Sequence, residues 1–299
     1  MPFTRSILRR SAASLLCVAA VVVCACSKQD AKSDSSTVAQ AGAPAANAKF
    51  DPTTRVAVVH AKDFAFDAPD TVTAGWTTFH LVNDGPNLHH VSLVRIDSGK
   101  TVADFQTAMK VQGPPPAWIV EAGGPNAPSP GGSVDATLNL APGTYMILCF
   151  VDIPGGVPHF MKGMTRPLTV LPATAATGTE PTADVTVDLA DYAFTPAATI
   201  TGGKHTFKVV NKGPQVHELE LIRLAPGKTI KDLGAWMAKP EGPPPADALG
   251  GISGMHAGMA QYFTADLTPG NYVMICFVPD AKDNKPHMQH GMVKEFAVK

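Results

Sequence analysis

Pro142-Gly143-Thr144-Tyr145-Met146-Ile147-Leu148-Cys149 returns 127 residues later as Pro269-Gly270-Asn271-Tyr272-Val273-Met274-Ile275-Cys276. Pro-Gly marks a turn, and the apolar run after it has the length of a buried strand. Side chains alternate across a strand, so Tyr145, Ile147 and Cys149 share one face, as do Tyr272, Met274 and Cys276. Each cysteine therefore ends a buried strand where the chain enters a loop. Pro-Gly-x-Tyr before a strand also resembles the tyrosine corner of Greek-key sandwiches.

The repetition extends well beyond this stretch. Asp63-Phe64-Ala65-Phe66 returns as Asp191-Tyr192-Ala193-Phe194, Asn83-Asp84-Gly85-Pro86 as Asn211-Lys212-Gly213-Pro214, and Gly113-Pro114-Pro115-Pro116 as Gly242-Pro243-Pro244-Pro245. Short β-branched segments such as Phe79-His80-Leu81-Val82 and Leu168-Thr169-Val170 dominate each copy. One helix interrupts each, with Val102, Phe105 and Met109 on one face and Ile230, Leu233 and Met237 repeating the pattern. The expected fold is all-β: two tandem Greek-key β-sandwiches, each with one short inserted helix. The domains are expected at 53–172 and 184–299, joined by an Ala/Thr/Gly/Pro-rich linker at 173–183.

The N-terminus reads as an export signal. Arg5, Arg9 and Arg10 precede an apolar run from Ala12 to Ala25 that is short for a membrane span. Val23-Cys24-Ala25-Cys26-Ser27 resembles a bacterial lipobox, which implies a lipoprotein signal peptide at 1–25 and lipidation of Cys26. Residues 26–52 are polar and small, as a flexible tether would be. The expected location is outside the inner membrane barrier, anchored by lipid and facing the periplasm or the cell exterior. The formal net charge is −1; removing the three leader arginines leaves −4, and without a basic stripe nucleic acid is excluded as a partner.

Besides Cys17, Cys24 and Cys26 near the N-terminus, the chain has only Cys149 and Cys276. In Leu88-His89-His90-Val91-Ser92-Leu93, parity puts His89 with Val91 and Leu93, facing the core, and His90 on the opposite face. His217 likewise sides with Leu219 and Leu221, while Glu218 and Glu220 face the other way. Each cysteine is followed by a histidine and a Gly-Met, giving His89, Cys149, His159 and Met164 in one copy and His217, Cys276, His287 and Met292 in the other. A zinc site of the Cys2His2 kind would want paired cysteines. One thiolate, two imidazoles and a thioether suit copper, because soft sulfur holds Cu(I) and nitrogen holds Cu(II).

This pattern resembles the cupredoxin family, in which an upstream His is followed by Cys, His and Met on one loop. The stretches from Cys149 to His159 and from Cys276 to His287 are longer than in plastocyanin-like members and resemble more the long loop of the copper domain in nitrite reductases. The resemblance implies one type 1 copper per copy, two in all, and electron transfer by transient docking with redox partner proteins through the side bearing His159 or His287. Family members often carry Asn after the first His; His90 and Glu218 stand there instead. Two-domain multicopper oxidases and nitrite reductases commonly place a histidine beside the type 1 Cys, whereas Leu148 and Phe150, and Ile275 and Phe277, are apolar, so an enzyme is not expected. The alternatives are a copper chaperone or storage protein and a metal-free binding sandwich. Surplus soft donors in the second copy (Met255, His256, Met259, Met288, His290) read either as a further Cu(I) site or as surface residues. His60, His80 and His205 lack counterparts and are not expected to be ligands.

Overall fold

A computed structural model describes residues 49–97, 99–111, 115–153, 155–174 and 177–299. The proposed signal peptide and Cys26, with most of the tether, lie outside them. Strand Gly143–Leu148 runs between Ser92–Ile96 and Thr165–Leu171, and Gly270–Ile275 runs between His217–Leu224 and Val293–Val298. Both tyrosines turn the corner before their strand. Tyr145 Oη donates to the Ala141 carbonyl at 3.0 Å and Tyr272 Oη to that of Thr268 at 2.7 Å.

The protein is mostly β. Two nine-stranded sheets each pass through both repeats. One contains, in order, Phe50–Asp51, Val56–Lys62, Gly75–Asn83 and Ser133–Leu140 of the first repeat, then Ala260–Leu267, Gly203–Asn211, Val185–Ala190 and Ala193–Pro196 of the second; Ala65–Asp67 branches from Val56–Lys62. The other runs from Val293–Val298 through Gly270–Ile275, His217–Leu224 and Ala246–Met255 to Ile119–Gly123, Ser92–Ile96, Gly143–Leu148, Thr165–Leu171 and Thr71–Thr73.

The repeats join where like strand meets like. Ser133–Leu140 pairs antiparallel with its counterpart Ala260–Leu267, and Ile119–Gly123 with Ala246–Met255. Beyond that strand the Asn126 N–H donates to the Gly251 carbonyl at 3.1 Å, and the Ser253 N–H donates to the Gly124 carbonyl at 2.8 Å. Gly124 and Gly251 are equivalent in the repeat, as are Asn126 and Ser253. Reciprocal contacts of this kind define a two-fold interface, here formed within one chain about a pseudo-two-fold axis.

Each repeat keeps its own core between the two sheets. The first unites Val59, Phe79, Leu81 and Leu138 with Leu93, Ile147, Cys149 and Met164. The second unites Val187, Phe207 and Phe263 with Leu221, Met274, Cys276 and Met292. The helices cover the outer face of the second sheet. Val102–Ala108 begins with a capping box between Thr101 and Asp104, and Ile230–Ala238 with one between Thr229 and Asp232; these satisfy backbone donors that a helix start leaves unpaired. Phe105 and Leu233 insert into the outer clusters as the periodicity requires. Met237 departs from it and is exposed, in the last turn of its helix.

Close packing across the repeat junction is testable at glycine. Gly250 has φ +85° and a Cβ there would lie 2.7 Å from Val134 Cβ of the other repeat, whereas Gly258, at φ +81°, has open space. Gly258→Ala should cost about 1–2 kcal/mol for the left-handed backbone alone. Gly250→Ala should cost about 1–3 kcal/mol more for overpacking. Equal losses in chemical denaturation would contradict the close approach.

Candidate metal centres

The sequence-selected histidines and cysteines converge at the same end of each core. His89 Nδ1 lies 3.1 Å from His159 Nδ1, and Cys149 Sγ lies 3.5 Å from that same nitrogen. In the second repeat the distances are 3.0 Å between His217 Nδ1 and His287 Nδ1, and 3.4 Å from Cys276 Sγ to His287 Nδ1. Within each trio the donor atoms all lie within 4.8 Å of one another. All six residues are buried, as are Met164 and Met292, which join Cys149 and Cys276 in their respective cores. Both cysteines are free thiols, and no disulfide links them.

The loop after each cysteine is held by the same three backbone bonds. His159 N–H donates to Val151, Phe160 N–H to Cys149 and Met164 N–H to His159, at 2.9, 2.8 and 3.1 Å. His287 N–H, Met288 N–H and Met292 N–H repeat this with Val278, Cys276 and His287 at 2.9, 2.9 and 3.1 Å. A 3-10 turn, His159–Lys162 or His287–His290, closes in the left-handed conformation at Gly163 (φ 99°) or Gly291 (φ 98°). Only glycine enters that region without strain, which accounts for Gly before each Met.

Asp63 and Asp191 emerge as parts of the site beyond the donors selected from sequence. Each accepts a 2.7 Å hydrogen bond at Oδ1 from the first histidine, His89 Nε2 or His217 Nε2. With the proton held on Nε2, the Nδ1 lone pair points at the other donors. Gly85 and Gly213 leave room for the ring, since a Cβ on either would come within 2.6 Å of the histidine Nε2. The repeated Asp-aromatic-Ala-Phe and Asn-x-Gly-Pro segments were the sequence signal for these supports.

The residues following the first histidines tie strand to loop. His90 Nε2 accepts from the Phe150 N–H, and Glu218 Oε1 from the Phe277 N–H, each at 2.8 Å. Two different side chains thus fix the residue after each cysteine. Parity placed both on the face away from the core, and they are nonetheless buried, because the junction between repeats covers them. Burial pushes the His90 imidazole down to about 4. Burial, reinforced by Glu121, pushes Glu218 up to about 7, and burial with Glu218 nearby raises Glu220 well above the usual carboxylate range.

Burial also lowers the imidazoles of His89, His159, His217 and His287, against the opposing pull of the nearby aspartates. It pushes the Cys149 thiol up to about 12 and raises that of Cys276. Neutral imidazoles with inward lone pairs, beside a thiol that needs a strong counter-charge to ionise, fit a cation that binds sulfur and nitrogen and displaces the thiol proton. The buried donor set therefore fits copper.

The second site differs in its outer wall. Tyr192 replaces Phe64 against the second histidine's ring and donates to Asp280 Oδ2 at 2.5 Å. Asp280 is held below the usual carboxylate range, chiefly by that bond, and lies 3.8 Å from His287 Nε2. Of the surplus donors, Met255 and Met259 pack with the second core and Met288 on the helix-covered face, while His290 Nε2 bonds Asp283 at 3.1 Å. His60, His80 and His205 each bond an aspartate at 2.6–2.7 Å away from both trios.

Solved structures similar to the chain include an auracyanin, a multicopper oxidase and a copper nitrite reductase. Reduced auracyanin from Roseiflexus castenholzii is 26% identical over 39% of this chain and 96% of its own, with a TM-score of 0.26. A multicopper oxidase is 12% identical over 84% of this chain and 98% of its own, at 0.26. A copper nitrite reductase from Nitrosomonas europaea is 16% identical over 82% and 93%, at 0.24. At such TM-scores the likeness carries no argument, and the chemistry rests on the side chains described above. No protein-family model matches the sequence, and no curated protein matches it.

The aspartates give a local test. Asp63→Ala should weaken copper binding at the first site by about 10–100-fold, the usual effect of removing a ligand's orienting partner, and Asp191→Ala should do the same at the second. Competition titration against a coloured chelator reads each loss. Unchanged affinities in both variants would remove the aspartates from the site.

Proposed function

We propose that the chain is an exported, lipid-anchored electron carrier with two type 1 copper centres, one in each Greek-key repeat. The observation that carries this is the twice-built, fully buried His-Cys-His trio, closed on one side by the loop that ends in Met. Copper bound there would supply a one-electron couple, with thiolate and thioether favouring Cu(I) and imidazole favouring Cu(II). The chain's own part is to hold the donors still. Cys149 and Cys276 end central strands, Asp63 and Asp191 orient His89 and His217, and the backbone bonds of the loops fix His159, His287, Met164 and Met292. A frame this constrained leaves little to rearrange when charge changes.

Docking through the loop side is supported by the exposed Met161 beside half-buried Val157, Pro158 and Phe160. This small apolar patch suits a transient contact with a redox protein. The apolar neighbours of both cysteines favour a carrier over an oxidase or nitrite reductase. The lipobox-like segment supports a membrane anchor at Cys26; no helix among the described residues is long and apolar enough to cross a membrane.

Residues 28–299, which contain the compact unit holding every described residue, provide the test. Loaded with Cu(II), they should bind two coppers and show intense, reversibly bleached visible absorption. Cys149→Ser and Cys276→Ser should each remove one centre's contribution, and the double variant should remove all of it. If neither single change affects the absorption, the two-centre reading fails. A colourless protein that takes up only Cu(I) would point to copper handling instead.

A further inference from the structure

Asn126 belongs to the first repeat, yet its side chain reaches into the second. Its Oδ1 faces His90 Nδ1 at 3.3 Å and also accepts from the Ala127 N–H at 3.0 Å. Its Nδ2 approaches Glu218 Oε2 at 3.4 Å and the carbonyls of Leu219 and Ile252 at 3.5 and 3.4 Å. The other end of the His90 ring accepts from the Phe150 N–H, and the other oxygen of Glu218 accepts from the Phe277 N–H. Phe150 follows Cys149 and Phe277 follows Cys276. Four hydrogen bonds therefore connect the residue after one buried cysteine to the residue after the other, through His90, Asn126 and Glu218.

The directions of these bonds agree along the whole line. His90 Nε2 must be the acceptor for Phe150 N–H, which leaves Nδ1 protonated to donate to Asn126 Oδ1. The Asn126 amide group then donates to Glu218, whose second oxygen is free to accept from Phe277. Each member of the line is buried apart from the half-buried Phe150 and Phe277, so little water competes for the bonds. The equivalent residue across the pseudo-two-fold axis, Ser253, is too short to reproduce the bridge, and its Oγ donates instead to the Val91 carbonyl at 3.1 Å.

We propose that His90, Asn126 and Glu218 form an internal relay that couples the two donor sets, so that an electron passes within the chain from one centre to the other. The inference rests on the two-copper reading above. One centre loses one electron as the other gains one; no covalent bond forms or breaks, the relay gives up no proton, and no further reactant is needed. His90, Asn126 and Glu218 are positioning residues that act through the backbone amides beside the cysteines.

The experiment uses the full copper-loaded chain with one centre reduced by a brief pulse. Redistribution of the electron is followed by absorption, with each band assigned from the single Cys→Ser variants. A phase whose rate does not depend on protein concentration is expected. Asn126→Ser, which gives this position the residue its counterpart already carries, should slow that phase severalfold while leaving two coppers bound and the bands in place. Ser253→Ala should leave it at the wild-type rate. In the metal-free chain, nitrogen NMR should find His90 as the Nδ1–H tautomer. An Nε2–H tautomer, the absence of a concentration-independent phase, or an equal rate in Asn126→Ser overturns the relay while the two-copper reading stands. A chain that binds no copper overturns both.

Discussion

The antiparallel pairing of like strands across the pseudo-two-fold axis is the constraint on which the remaining structure depends. Without it, Ile119–Gly123 and Ser133–Leu140 would each be a sheet edge with unpaired backbone groups. The junction satisfies them with backbone and with buried side chains. Gln261 Nε2 donates to the Ala122 carbonyl at 2.6 Å while its Oε1 accepts from the Gly124 N–H at 3.1 Å. Glu220 accepts from the Ala127 and Gly250 N–H groups at 3.1 and 3.2 Å. Buried carboxylates are tolerated because backbone donors meet them, and one of these, the Ala127 N–H, comes from the other repeat.

The same junction sets the distinction between inner and outer faces of the second sheet. The inner face carries His89, His217, Cys149 and Cys276 into the two cores. The outer face carries His90, which packs with Asn126 and Phe150 of its own repeat, and Glu218, which Asn126 meets from the other repeat. Each donor trio comes from one repeat, and the second is braced by Asn126 of the first through Glu218.

Much of this was legible in the sequence, for identifiable reasons. Alternation in His217-Glu218-Leu219 holds because those residues lie in the strand His217–Leu224, whereas His89 and His90 precede the strand Ser92–Ile96 and His89 reaches the core from outside it. Pro-Gly-x-Tyr marks the start of each strand that leads to a cysteine. The helices were legible from Val102/Phe105 and Ile230/Leu233 spacing. What local patterns could not show was adjacency between repeats. Glu218 and Glu220 lie opposite the core by parity, and nothing nearby in the sequence says that residues 92 and 93 positions away will meet them. Asp63 and Asp191 were visible as repeated residues, but their bond to a histidine 26 residues onward depends on how a turn is brought against that histidine in space. His90 and Glu218 differ in chemistry, yet each supplies an acceptor for the equivalent backbone N–H.

The pseudo-two-fold axis has one further consequence. A pair of identical subunits must carry the same residues on both sides of its axis, so its two halves have equal affinity for any charge they hold and no intrinsic bias between them. Joining the halves in one chain removes that equality. Here His90 corresponds to Glu218, Asn126 to Ser253 and Phe64 to Tyr192, all within a frame that still pairs like with like. Covalent fusion thus gives a symmetric scaffold a polarity, a difference between left and right that mutation can adjust on one side alone.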